Sequence, residues 1–468
     1  MQKPSLIRTN KTLLMILASS IFIHLWNPVG FPDLFFDEGV YMRRAMHVLN
    51  GLGPQEAYFY DHPFFGQIFL AGMLSIVGYP DMFKEIEDLY LIPRVWMGIL
   101  AVIDTFLIYK IADKKYNRRV ALIAAALFAV MPITWLLRRI LLDTLLLPLL
   151  LSSILFALYA KESRKMLFVS LSGIFLGLAL FTKIPILVMI PLVAFLIYKN
   201  INLKLLALWF IPVIVIPLLW PLQSIINNQF DLWVKDVLWQ TQRKSIGGFA
   251  NIVETFILFD PLLFMLTISG LSYAIIKKEL MILLFVIPFM GYLSIIGYTQ
   301  YFHILPILPA FAILGAIFID RIMNIRFGYL IPIGILIFGF VSTTMLITSD
   351  LTSAQFETMR FVLDYINDEA VLASPVYTWI FIYVYNYDIP LDYSEILFYP
   401  IDKEVILITD THFIFDASKY KQLAYLYNNT IPIAEFEGDV TRYNNNIYPY
   451  TNMKVNYEGS FIEVRVKP

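Results

Sequence analysis

FFDEGVYMRRAMHVLNGLGPQEAYFYDHP, residues 35–63, is the stretch from which the rest of the chain can be read. It opens on adjacent carboxylates, Asp37 and Glu38, shortly after an apolar run that ends at Trp26. It closes on Asp61 and His62, directly before the next apolar run. Acidic groups beside a bilayer are costly unless they face water or a partner, so their presence between hydrocarbon-soluble segments points to function. A lone aspartate there reads equally well as part of a solvated loop ending a membrane helix; the paired arrangement argues against that. Glu38 to Leu49 predicts a short helix ended by Asn50-Gly51. Its apolar positions Val40, Tyr41, Ala45 and Val48 are expected on the membrane surface. Arg43 and Arg44 are expected to snorkel at that interface, within reach of lipid phosphate.

Outward from this stretch the composition is that of a membrane protein. Of 468 residues, 59% are hydrophobic and 15% charged, with a mean hydropathy of +0.70. The apolar residues gather in runs of about 20, the length that crosses a bilayer. The sequence therefore predicts a polytopic α-helical membrane protein and excludes an ordinary soluble domain. The runs are Leu13–Trp26, Pro63–Tyr79, Leu91–Ala112, 120–137, 141–160, 166–182, 184–198, 204–222, 255–276, 280–298, 301–319 and 327–348. With no cleavage site of small residues after Trp26, the first run reads as a retained helix. There are no cysteines, which excludes disulfides and thiolate metal sites.

Loop charge sets the topology. If every run spans and Lys3, Arg8 and Lys11 are cytoplasmic, the cluster Lys110, Lys114, Lys115, Arg118 and Arg119 falls outside, against the positive-inside tendency. If Pro63–Tyr79, interrupted by Gly66, Gly72 and Gly78, is re-entrant or interfacial, that cluster moves inside. The pairs around Lys161/Lys165, Lys199/Lys204, Lys277/Lys278 and Arg321/Arg326 move with it. The expectation is eleven spanning helices. It makes residues 1–349 a membrane domain, with the loop 27–90 external. From Asp350 onward 8 Lys and Arg stand against 17 Asp and Glu, so 350–468 reads as an acidic, extracytoplasmic α/β domain. In it, FETMRFVLDYI and SKYKQLAYLYNN read as helices. AVLASPV, KEVILITD, IPIAEFEG and FIEVRVKP read as strands, and TWIFIYVYNY as either.

This topology brings polar residues from separated places to one face: the acidic loop, Arg138, Arg139 and Asp143, Lys183, and the tail. The loop from Gln223 to Glu254, with Trp233, Trp239, Lys235, Arg243 and Lys244 before Gly247-Gly248, suits an interfacial helix and hinge over a lipid-linked substrate. A plain membrane-surface belt fits it as well. Chemically, Asp37 can accept a proton from a hydroxyl, and Arg138 and Lys183 can neutralise a leaving phosphate. The structural alternative pairs Arg138 with Asp143 and lets Lys183 snorkel.

In order, FFDEGVY, YDHPFFGQIFLAG, LIPRVWMG, LRRILLDTLLL, LALFTKIPILV and YFHILPILPA resemble the GT-C glycosyltransferases, and within them the protein O-mannosyltransferase and aminoarabinose-transferase-like group. The resemblance covers roughly residues 30–320. The inserted β-trefoil domain of eukaryotic O-mannosyltransferases is absent and the loops are short, which points to a bacterial or archaeal enzyme; the WWDYG motif of oligosaccharyltransferases is also absent, which counts against transfer of whole oligosaccharides to asparagine. The resemblance implies a multi-pass cell-membrane enzyme with an extracytoplasmic site. It would move a sugar from a dolichyl- or undecaprenyl-phosphate donor to a hydroxyl on protein, lipid or glycan, with inversion. Asp37 is the implied base; Glu38, Asp61, His62, Arg94, Arg138, Asp143, Lys183, Tyr301 and His303 are the implied substrate-binding residues. No cofactor is required, since two cations neutralise one phosphate; a divalent cation remains compatible, with Asp61, His62 and His303 as its ligands. Nucleic acid is not an expected partner. The competing class is a lipid or lipid-linked-sugar transporter or flippase, against which stand the lack of an inverted repeat and the gathering of polar residues at one face.

Overall fold

The computed structural model describes residues 6–56, 59–161, 164–199, 203–244, 248–366, 370–397, 405–438 and 461–467. The first half of the body comprises helices α1 (Leu6–Leu25), α2 (Phe36–Leu49), α3 (Phe65–Ser75), α4 (Asp88–Lys115), α5 (Arg118–Val130), α6 (Leu142–Tyr159), α7 (Lys165–Leu180) and α8 (Ile190–Tyr198). The second half adds α9 (Leu203–Val215), α10 (Leu219–Ile226), α11 (Phe230–Gln242), α12 (Gly248–Phe259), α13 (Pro261–Lys277), α14 (Leu280–Ile295), α15 (Leu308–Ile322) and α16 (Leu330–Ile347). Among the described residues five helices are long and apolar enough to cross a membrane, or seven if two bent pairs are each one span. The eleven expected spans therefore require shorter apolar helices such as Lys165–Leu180 and Leu280–Ile295 to cross as well. The α6 helix and the Tyr301–Ile322 segment form the centre, with 83% and 89% of their apolar windows buried, against 17% for Leu203–Ile226 at the rim.

Local sequence explains where the helices break. Asn117 caps α5 by accepting from the amides of Arg119 and Val120, and Asp260 caps α13 ahead of Pro261. Short 3₁₀ turns, each containing proline, occupy Pro132–Arg138, Ile184–Met189 and Tyr301–Ile307. Irregular backbone in an apolar body is tolerated only where protein buries it or it lines a cavity. Arg138, Lys183 and His303 all lie in or beside these turns.

The tail forms α17 (Ser353–Tyr365), β1 (Ala370–Leu372), α18 (Pro375–Tyr383), β2 (Val405–Thr409), α19 (Thr411–Ala417), α20 (Lys421–Asn428), β3 (Ile431–Glu437) and β4 (Phe461–Val466). Its sheet runs β1-β2-β4-β3, with β1 parallel to β2 and the other pairs antiparallel. The period of two along β2 divides two cores. Ile406 and Ile408 join the main core, whereas Val405 and Leu407 face Phe413, Leu423 and Leu426 of α19 and α20. AVLASPV is strand only as far as Leu372; Ser374 then caps α18, accepting from Val376 N, with Pro375 at the first helical position.

This unit is docked on the stretch that opens the chain's polar face. A Cβ on Gly39 would lie 2.3 Å from Pro375 C and 2.4 Å from Val376 N, so α2 meets the start of α18 backbone to backbone. Gln355 of α17 exchanges two hydrogen bonds with the backbone of Leu34, at 2.8 and 2.9 Å. Asn27, at φ 48°, donates to the carbonyls of Ile347 and Ser349 at 3.0 and 2.9 Å. Against expectation, α2 does not carry its apolar positions to a membrane surface: Tyr41 and Ala45 are buried. Arg43 and Arg44 do not snorkel either, being buried and ion-paired. Arg43 makes a bidentate pair with Glu56 at 2.9 and 3.0 Å, and Arg44 Nη2 lies 2.7 Å from Asp61 Oδ1. The local acids Glu56 and Asp61 hold these cations more tightly than a mobile headgroup could.

Candidate active site

Glu38 is the best-held carboxylate of the group, with no exposed surface. Oε1 accepts from Arg94 Nε and Ile140 N, both at 3.0 Å. Oε2 accepts from Arg94 Nη2 at 2.7 Å, Phe35 N at 3.0 Å and Arg139 Nη1 at 3.3 Å. Burial alone would raise its carboxyl; Arg94 and Arg139 outweigh that and hold it below the ordinary glutamate range. Arg94 also donates to the carbonyls of Pro28, Pro32 and Asp33, and Arg139 Nη2 pairs with Asp33 Oδ1 at 2.6 Å. Arg138 donates to the carbonyls of Phe31, Ile23, Trp26 and Asn27 at 2.6–3.1 Å. Three arginines thus bind the backbone of residues 23–33 and, through Glu38, fix where α2 begins.

Asp37 is the next residue back and behaves differently. Half-buried in the first turn of α2, its carboxylate has no hydrogen-bond or ion-pair partner among the described residues. Burial raises its carboxyl above the ordinary aspartate range, opposed by Lys183, Arg243 and His412 and reinforced by Asp61. Lys183, the residue before the Ile184–Met189 turn, is buried and pairs with Asp143 Oδ2 at 2.6 Å. Asp143 therefore serves Lys183 and not Arg138. Arg243, at the end of α11, stacks 3.6 Å from the Tyr298 ring centroid and 4.8 Å from that of Trp239. It pairs with no carboxylate among the described residues.

The DHP segment closes the site from the side. Asp61 is held below the ordinary range: burial would raise it, but Arg44 and His62 prevail. His62 is pushed down to about 4, chiefly by burial, so its imidazole is neutral at neutral pH. Tyr60 N donates to Asp236 Oδ2 at 2.7 Å and Phe59 meets Trp239 edge-on, joining the two long loops. His303 faces Lys183, His62 and Arg243; its Nδ1 accepts from Gln300 N at 3.1 Å. Tyr301 lies in the aromatic layer beneath, against Phe35 and Trp135. Among the described residues no three His, Asp or Glu side chains are grouped to hold a metal ion. With Asp61 committed to Arg44 and His303 Nδ1 to Gln300, the trio Asp61, His62 and His303 does not fit one.

Of the residues anticipated from sequence, Asp37, Asp61, His62, Lys183 and His303 come together around Asp37 and Lys183. Glu38, Arg94 and Arg138 hold its frame, Asp143 holds Lys183, and Tyr301 supports it from below. Arg243 and His412 were not anticipated as site residues. The cue for Arg243 was an arginine among tryptophans before Gly247-Gly248; for His412 it was the His-x-x-x-Asp spacing in the tail.

This arrangement has relatives. ArnT from Cupriavidus metallidurans in the apo state superposes with a TM-score of 0.57 at 13% identity, over 98% of this chain and 97% of that one. The chain has the GT-C glycosyltransferase fold. A second ArnT structure, bound to undecaprenyl phosphate, gives a TM-score of 0.52 at 12% identity over the same shares. The Archaeoglobus fulgidus oligosaccharyltransferase in complex with Zn and sulfate shares the GT-C fold at a TM-score of 0.59 and 12% identity, over 88% of this chain and 69% of that one. By sequence, residues 61–223 match the family described as dolichyl-phosphate-mannose-protein mannosyltransferase. No curated protein matches the chain.

Proposed function

We propose that this chain is an integral-membrane glycosyltransferase that moves a sugar from a polyprenyl-phosphate donor to a hydroxyl acceptor on protein, lipid or glycan. The observation that carries it is the division of labour in the Asp37-Glu38 pair. Glu38 is consumed by five donors, and Asp37, opposite Lys183 and Arg243, has no hydrogen-bond or ion-pair partner among the described residues. The family match and the ArnT fold, seen with undecaprenyl phosphate in that relative, support a lipid-phosphate donor.

In the reaction Asp37 takes the acceptor hydroxyl proton while that oxygen attacks the anomeric carbon. The bond from that carbon to the donor phosphate breaks, and the lipid phosphate leaves toward Lys183 and Arg243. A single displacement inverts the anomeric centre. Fixed cations in a dry site stabilise the developing phosphate charge without reorganising. Asp143 orients Lys183, while Arg138, bound to four carbonyls, anchors the loop and leaves the phosphate to the other two cations. The site and the tail lie on the extracytoplasmic side, because that orientation puts Lys110, Lys114, Lys115, Arg118 and Arg119 inside. Residues 1–349 form the membrane domain and 350–468 the docked α/β domain.

Purified protein in liposomes, given radiolabelled polyprenyl-phosphate sugars and a panel of hydroxyl acceptors, should transfer label to one of them and release polyprenyl phosphate. Donor crossing the bilayer with no label transferred would replace this reading with that of a flippase.

A further inference from the structure

The C-terminal unit reaches into the site at one point. His412, in the first turn of α19, stacks on Phe36 with ring centroids 4.0 Å apart and planes 27° from parallel. Phe36 is the first residue of α2, immediately before Asp37. The imidazole is itself held, with Nε2 3.3 Å from Asp416 Oδ2 one helical turn on. Asp416 is steadied in turn by Lys419 Nζ at 3.0 Å. Asp410 caps α19, accepting from Phe413 N at 2.9 Å, and so fixes the turn that carries His412. On the other side of the contact, α18 lies against α2 at Gly39.

We propose that the C-terminal unit completes the catalytic site. His412, backed by Asp416 and stacked on Phe36, is a positioning residue for Asp37. It works in two ways. The stack pins the first turn of α2 at Phe36, next to Asp37, adding a side-chain contact to the Glu38 clamp and the α18 backbone contact at Gly39. The imidazole also places a titratable group beside a carboxylate that burial disfavours in its charged form. The groups facing Asp37 are Lys183 beside its 3₁₀ turn, Arg243 at the end of α11, Asp61 in the DHP loop, Tyr41 one turn along α2, Tyr298 and His412. Those facing His412 are Asp37, Asp410 and Asp416. Of the groups around Asp37 among the described residues, His412 alone comes from the tail, so it ties the ionisation of the base to the docking of that unit. This inference rests on the assignment of Asp37 as base, but its test does not.

The test reads the protonation of Asp37 directly. Carbodiimide with an amine nucleophile modifies protonated carboxyl groups, and peptide mass spectrometry resolves Asp37 from its neighbours. Labelling is followed against pH in the full-length wild type, His412→Phe, His412→Ala and Asp416→Asn. His412→Phe keeps an aromatic stack and removes the titratable group, so its Asp37 midpoint should move to higher pH. The acid limb of turnover should move with it. Hydrogen exchange over residues 36–40 should stay near wild type in His412→Phe and accelerate in His412→Ala. Asp416→Asn should shift the midpoint in the same direction by less. Superimposable Asp37 labelling curves in wild type, His412→Phe and His412→Ala would overturn the proposal. A shifted midpoint in a protein that transfers no sugar would retain the coupling and remove the transferase reading.

Discussion

Glu38→Gln tests the frame on which the site depends. Glutamine keeps the shape of the side chain and its carbonyl oxygen can still accept from Ile140 N and Arg94 Nε. Its amide, however, would confront Arg94 Nη2, Phe35 N and Arg139 Nη1, which now donate to Oε2 at 2.7, 3.0 and 3.3 Å. Donors then face a donor in a dry interior, and two guanidiniums lose a shared counter-charge. Removing one partner of a buried ion pair costs about 3–5 kcal/mol. Set against local opening of α2, that is about 10²–10⁴-fold faster amide exchange, at roughly 1.4 kcal/mol per decade. Exchange mass spectrometry on residues 35–49 should show it, while peptides of α13 and α14 keep their protection. The pH dependence has a definite sign. Because the folded carboxyl is held below its ordinary value, its stabilisation is complete above the ordinary glutamate range and is lost as pH falls through the depressed value. Unchanged protection of α2 together with lost turnover would refute the reasoning and make Glu38 a participant in the chemistry.

The other predictions concern the pocket, the docking contact and the topology. Asp37→Asn should lower turnover by about 10²–10⁴-fold with donor affinity kept. In the wild type the acid limb should lie above the ordinary aspartate range, because the ionised form of a raised carboxyl is the active one. Near-normal turnover in Asp37→Asn would shift the base assignment to Asp61. Lys183→Ala should weaken binding of a polyprenyl-phosphate donor by about 2–3 kcal/mol and strand Asp143, so Asp143→Asn with Lys183→Ala should recover stability but not donor affinity. Equal donor affinity in wild type and Lys183→Ala would remove the lysine from the phosphate site. Gly39→Ala puts a methyl within 2.4 Å of the α18 backbone; overpacking of about 1–3 kcal/mol should expose the tail to protease, and an unchanged digestion pattern would count against the docking. In this cysteine-free chain, single cysteines at 114 and 165 should resist an impermeant reagent applied outside and one at 357 should react; labelling of 114 from outside would invert the topology.

The membrane body and most of the tail are legible because hydropathy and periodicity are local properties. Even TWIFIYVYNY, ambiguous by pattern, is decided by the Ser374-Pro375 start that precedes it. What sequence left open is long-range pairing. The sequence shows Arg138 as a cation at the end of a membrane segment, but its partners are carbonyls more than a hundred residues earlier, and a carbonyl has no sequence signature. Arg43 and Arg44 were misread for a related reason. Only the fold brings Asp61 back onto α2, and without that contact snorkelling is the cheaper expectation. The difference between Asp37 and Glu38 is likewise invisible in two adjacent letters and follows from where Arg94 and Arg139 end up.

The two hydrogen bonds between Gln355 and Leu34 span 321 positions of chain. At about 5–20 residues per second of synthesis, Leu34 leaves the ribosome on the order of tens of seconds before its partner exists. Throughout that interval the nascent protein has the cations of the body but not the tail contacts that seat α2. A chain still being made, or one cut short before Gln355, therefore lacks the contacts that seat Leu34 and the turn leading into Asp37 and Glu38.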